Sequence, residues 1–271
     1  MPTYYKRNLW VLIAVFAILS AFNGVKKKTL RVVFIGDSIT YGAAVQDKAH
    51  QAPPAVAATE LGQMALIKAV DFYNAGRSGA TTLDFLPGTA NFKNVADAAD
   101  AYYKEQTTLT ASEQSATLLL FSIMLGTNDS AIEGTNGAPV SPDQYQQNLT
   151  IIIDSLLRRY PGSKIVIQEA PWYSDNTQNG AKYLKEGRAR LESYNPKIEA
   201  LVKQYKKTMP GRVFLGDKSA YSYFKKYYTT KLSLENGRQG IFYLHPNTDG
   251  SAVLGKKWAK AIYKAAMKDA L

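Results

Sequence analysis

Five short apolar segments, at 30–36, 69–74, 116–126, 164–170 and 212–215, constrain what this chain can fold into more than any other feature. In the first, Val32, Val33, Phe34 and Ile35 follow one another with no polar alternation, the pattern of a strand covered on both faces. The stretches between segments are long enough for crossover helices, so the chain reads as a five-stranded parallel sheet with helices on both sides. Ser141, Pro142 and Gln144 form a helix-start signal for 142–160, with Tyr145, Leu149, Ile152, Ile153 and Leu156 as its inward stripe. A second helix is expected near 197–206, burying Ile198, Leu201, Val202 and Tyr205. A last one begins around Gly250, with Asp249 as its N-cap.

A chain of 271 residues with 46% hydrophobic content and no internal repeat is read as one α/β domain over 24–271. Residues 1–23 have the pattern of a secretory signal peptide: Lys6 and Arg7, an apolar stretch from Leu9 to Leu19, then Ser20 and Ala21. Export to the periplasm or medium is therefore expected, with an uncleaved N-terminal anchor as the alternative and no stable membrane insertion after processing. Without cysteine the chain can carry neither a disulfide nor a lipid thioether. Two histidines and no cysteine offer few metal ligands, and no cofactor is expected. The formal charge is +11. Lys256, Lys257, Lys260, Lys264 and Lys268 lie opposite the apolar line Leu254, Trp258, Ile262 and Ala265, which reads as a solvated helix face. No motif accompanies the charge that would make it a nucleic-acid surface.

In open parallel sheets, sites lie beyond the carboxyl ends of the strands. Here four such ends run into polar, glycine-containing segments: Gly36-Asp37-Ser38, Asn74 to Gly79, Gly126-Thr127-Asn128-Asp129, and Glu169 to Tyr173. Ser38 is a nucleophile if a base removes its proton. Of the two histidines, His50 reads as a surface or capping residue, and His245, in Leu-His-Pro-Asn, is the stronger base candidate. Gly79 and Asn128 suit an oxyanion hole, one through its backbone N–H and the other through its amide.

These blocks resemble those of the SGNH, or GDSL-type, hydrolase superfamily: Gly36-Asp37-Ser38-Ile39-Thr40, Ser78-Gly79, Gly126-Thr127-Asn128-Asp129 and His245-Pro246-Asn247. The resemblance covers roughly 30–265 and implies a flavodoxin-like three-layer αβα sandwich. It also implies a Ser38–His245 catalytic pair and an oxyanion hole of Ser38, Gly79 and Asn128. One position departs from the pattern, since the family usually carries aspartate three residues before the histidine and here that residue is Phe242. Glu235, Asp217 and Asp249 are candidate substitutes, and the orienting acid is left unassigned. The resemblance, with Trp172 and Tyr173 as residues that could stack on a sugar, points to an exported esterase removing small acyl groups, acetyl above all, from carbohydrate. A lysophospholipase or thioesterase, and a glycan-binding protein on an inactive scaffold, are the competing readings.

Overall fold

The computed structural model describes residues 26–268. The export segment expected over 1–23 lies outside the described residues. The central sheet consists of β1 (Lys28–Gly36), β2 (Ile67–Asn74), β3 (Thr117–Met124), β4 (Lys164–Ile167) and β5 (Val213–Leu215). All pairs are parallel, in the spatial order β2-β1-β3-β4-β5. These are the five expected segments, with β3 and β4 ending earlier than their apolar runs. Leu125 and Gln168 to Ala170 stay buried after their strands end.

After β1 come α1 (Ser38–Tyr41), α2 (Lys48–Gln51) and α3 (Pro53–Gly62), and after β2 a 3₁₀ turn at Thr82–Phe85, then α4 (Ala90–Gln106) and α5 (Ala111–Ala116). The later helices are α6 (Pro142–Arg159), α7 (Leu184–Thr208), α8 (Ala220–Lys231) and α9 (Thr248–Met267). Packing of α3 on α9, and of α6 on α7, builds the helical layers around the sheet. The core between them holds Leu30, Val32, Val33, Phe34, Phe121, Ile152, Ile153 and Trp258, all essentially without solvent contact. No helix among the described residues is long and apolar enough to cross a membrane.

Two local expectations change, and one further element appears. The helix placed near 197–206 begins thirteen residues earlier, at Leu184, and runs through Pro196, because Gly187, Leu191, Tyr194, Ile198, Leu201 and Tyr205 form one buried stripe. The missing proline N–H costs one backbone bond, which this packing outweighs. At the start of α9 the N-cap is Asn247, whose Oδ1 accepts from Gly250 N at 2.9 Å. Asp249 sits in the first turn and pairs with Lys231 at 3.2 Å. Last, an antiparallel hairpin of β6 (Leu232–Gly237) and β7 (Gly240–Pro246) stands apart from the five-stranded sheet.

The strand order turns at β1: the chain goes from β1 outward to β2, then returns to the other side as β3. Such a reversal opens a crevice at the carboxyl ends of the two central strands, and both Ser38 and Asn128 follow those ends.

Candidate active site

The first loop is built around Asp37, whose extended backbone leads into α1 and whose Oδ1 accepts from Ile39 N at 2.9 Å. This cap makes Ser38 the first residue of α1, so its N–H has no intrahelical acceptor and remains available. Asp37 is wholly buried, and burial raises its carboxyl to about 6 despite the hydrogen bond from Ile39 N–H.

The second loop is tied to the first through its backbone. Ala75 N donates to Phe34 O at 2.8 Å and Arg77 N to Gly36 O at 2.9 Å, while Asn74 Nδ2 reaches Thr40 O at 3.0 Å. At Gly76 a Cβ would lie 2.3 Å from Tyr41 N, so only glycine lets the loop rest on α1. At Gly79 the requirement is conformational: φ is +80°, and a Cβ there would meet nothing within 4 Å. The space beside Gly79 is open, and its N–H makes no bond among the described residues.

In the third loop the Asn128 amide is held at both ends. Tyr183 Oη donates to Asn128 Oδ1 at 2.6 Å, and Asn128 Nδ2 donates to Ala80 O at 3.0 Å, which leaves its second amide hydrogen free. Burial pushes the Tyr183 phenol well above its usual range, so it stays a donor. Next to it Asp129, completely buried, accepts from Thr82 N at 3.0 and 3.1 Å and from Thr82 Oγ1. Asn148 of α6 donates to Thr82 Oγ1 at 2.9 Å, so this network fastens the second loop to the third. Burial lifts Asp129 to about 7.

The fourth contribution is the hairpin. Ser38 Oγ donates to His245 Nε2 at 2.8 Å. That bond makes Nε2 the acceptor and places the ring proton on Nδ1, which donates to Glu235 at 3.0 and 2.9 Å. His245 N also donates to Glu235 Oε1, at 3.1 Å, so one carboxylate grips both backbone and ring. Glu235 pairs in register with Phe242 across the two strands. The carboxylate therefore comes from the residue directly opposite the position where the family carries aspartate, and Phe242 fills the core instead, 1% exposed.

Ser38, Gly79, Asn128 and His245 are thus brought to one cavity of about 520 Å³. Its other walls include Arg77, Ser78, Asp84, Asn91, Asn136 and Asn179. His50 lies away on α2, exposed, with its Nδ1 2.7 Å from Asp47 Oδ2. Asp217 caps the start of α8 through Ala220 N at 2.8 Å, and neither it nor Asp249 contacts His245. Trp172 and Tyr173 are buried and absent from the cavity wall. Trp172 packs on Tyr228, which in turn meets Tyr243 of β7, and Tyr173 Oη lies 2.9 Å from Ser130 Oγ. Both support the loops from behind, so the stacking role expected for them is replaced by a structural one.

The arrangement has the parts of a serine acyl-transfer centre: a hydroxyl on a base, the base on a carboxylate, and donors around an open space. Among the described residues no group of carboxylates and histidines could hold a metal ion. Glu235 and Tyr183 are the residues that sequence reasoning left unassigned or unnamed. For Glu235 a signal exists in the strand-like Leu232-Ser233-Leu234-Glu235, whose alternation reads as half a hairpin, and the turn itself falls at Arg238-Gln239.

Residues 34–253 match a family described as the GDSL-like lipase/acylhydrolase family. No curated protein sequence matches the chain. Among solved structures, a member of the lipolytic G-D-S-L family from Veillonella parvula aligns with a TM-score of 0.56 at 15% identity, covering 87% of this chain and 99% of its own. A carbohydrate esterase family 3 structure from Talaromyces cellulolyticus aligns with a TM-score of 0.55 at 18% identity, with coverages of 88% and 99%. A carbohydrate acetylesterase from Sinorhizobium meliloti gives 0.52 at 18% identity, again with 88% and 99% covered. At such identities the likeness is one of fold.

Proposed function

From the premise that this chain belongs to the GDSL-like lipase/acylhydrolase family and is a carboxylic ester hydrolase, we propose that it removes small acyl groups, acetyl above all, from carbohydrate. Ser38 is the nucleophile, His245 the base and Glu235 the acid that orients the imidazole. The observation that carries the substrate class is the cavity wall. Its apolar groups are the side chains of Ala43, Ala80, Ala181 and Leu244 and the ring of Tyr183, among Ser78, Asn91, Thr135, Asn136 and Asn179. A long acyl chain needs continuous apolar surface, whereas a short acyl group on a polyhydroxylated alcohol is matched by small apolar contacts and amides.

In the reaction Ser38 Oγ passes its proton to His245 Nε2 and attacks the ester carbonyl carbon. The carbonyl oxygen takes up negative charge and receives the N–H groups of Ser38 and Gly79 and the free amide hydrogen of Asn128. The imidazolium, held by Glu235, gives its proton to the departing sugar oxygen as the carbon–oxygen bond breaks, leaving an acyl-serine. Water then repeats the sequence, with His245 taking its proton and Ser38 recovering its own.

Hydrolysis of p-nitrophenyl acetate, butyrate and octanoate, with acetate release from acetylated xylan, tests this reading. Activity is expected to fall along the ester series, and Ser38→Ala to lose at least about 10⁴-fold in kcat. Preference for octanoate would favour the lysophospholipase or thioesterase reading, and equal turnover by wild type and Ser38→Ala would end the assignment of the nucleophile. Export is proposed from Lys6, Arg7 and the Leu9–Leu19 stretch, and cell fractionation checks it.

A further inference from the structure

We propose that Arg77 recognises a carboxylate on the alcohol side of the substrate, so that the ester cleaved at Ser38 is carried by an acidic sugar. This rests on the esterase reading above and narrows it. Arg77 lies two residues before Gly79, and its backbone is fixed on both sides: its N–H donates to Gly36 O at 2.9 Å, and its carbonyl accepts from Ala80 N at 3.1 Å. Gly76, immediately before it, is packed against the backbone of α1. The root of the side chain is therefore held in place relative to Ser38, while the side chain itself is exposed and lines the cavity.

The guanidinium has no ion pair or hydrogen bond among the described residues. Arg31, Arg159, Arg188 and Arg190 each pair with a carboxylate: Asp71, Asp100, Asp175 and Glu186, respectively. The carboxylate that shares the cavity wall with Arg77 is Asp84, and its oxygens are engaged elsewhere. Oδ2 accepts from Thr81 N at 2.8 Å and Thr81 Oγ1 at 3.1 Å, and Oδ1 from Asn136 Nδ2 at 2.8 Å. A planar cation with all its donors free, beside a nucleophile and amid amide side chains, matches a sugar that bears a carboxylate. Neutral sugars leave those donors to water.

The test follows acetate release from two probes of nearly the same size, one charged and one neutral, the methyl glycoside of a mono-O-acetyl-glucuronic acid and its uronamide. Wild type is expected to prefer the free acid about tenfold in kcat/KM, the worth of a charge-assisted hydrogen bond in an open site. Arg77→Gln should bring that ratio to about one, Arg77→Lys should fall between, and added salt should shrink the wild-type preference. Equal turnover of both probes by wild type, or equal loss on both in Arg77→Gln, would overturn the proposal while the esterase reading stands. Preference for a neutral-sugar hemisuccinate over the matching acetate would put the carboxylate on the acyl side and overturn the acidic-sugar assignment. Should Ser38→Ala turn over both probes like wild type, the assignment of Ser38 as the nucleophile fails instead. NMR titration of Ser38→Ala with either probe then still decides Arg77: tighter binding of the acid, abolished in Ser38→Ala/Arg77→Gln, supports it, and equal binding rejects it.

Discussion

At Glu235 a single carboxylate accepts three hydrogen bonds from one residue, two at the ring nitrogen of His245 and one at its backbone N–H. It stands across the hairpin from Phe242, so a position read along one strand as lacking an acid is supplied from the strand beside it. Glu235→Gln keeps an acceptor but adds an amide donor that competes with Nδ1–H and loses the charge that stabilises the imidazolium. We expect kcat on p-nitrophenyl acetate to fall by about 10² to 10⁴, with an unchanged fold by circular dichroism, the upper figure being that of an acid-to-amide change in a serine protease triad. An unaltered kcat would remove Glu235 from the mechanism. Ser38, Gly79, Asn128 and His245 were legible because each occupies a short block with its own chemistry. Glu235 was not, because its partner is ten residues away and the pairing depends on hairpin register.

Among elements, the loop between β2 and the 3₁₀ turn sets the donors of the cavity, and α1 is the floor it rests on. Gly76→Ala would drive a methyl group to 2.3 Å from Tyr41 N, a backbone atom that cannot swing aside. The loop must lift, carrying Gly79 and Arg77 with it. We expect kcat/KM to drop by about 10²-fold, since displacement of about 1 Å costs that much, together with about 1–3 kcal/mol of stability in urea unfolding. Retention of full activity would show that the loop finds its place without that contact. The strands and α6 were readable from hydrophobic period and capping residues, and Ser141 does accept from Gln144 N, at 3.2 Å. The early start of α7 was not, since Pro196 reads as a break unless the packing of its buried stripe is known.

For the molecule as a whole, three buried carboxyls gather just past the strand ends: Asp37 after β1, Asp129 after β3 and Glu169 after β4. Burial raises them to about 6, about 7 and about 7. A raised acid binds its proton more tightly folded than unfolded, so the contribution of these three to stability is greatest at low pH and declines as pH rises from about 4 to about 7. Each carboxyl adds up to about 1.4 kcal/mol per pH unit to that slope. Asp129→Asn, neutral throughout, should flatten the decline, as read by urea unfolding at intervals across this range. A slope equal to that of wild type would mean that Asp129 is ionised alike in both states. Such stored cost is what it takes to hold polar loops at one end of a dry sheet. By itself the sequence determined the five-stranded parallel sheet and the loops that carry the site, because burial on both faces and strand-end chemistry leave a local imprint. Only the tertiary structure decided which carboxylate holds His245, which tyrosine holds Asn128, that Trp172 and Tyr173 support rather than line the site, and that Arg77 stands unpaired among the described residues. Those facts depend on distances between residues far apart in the chain, and no local pattern encodes them.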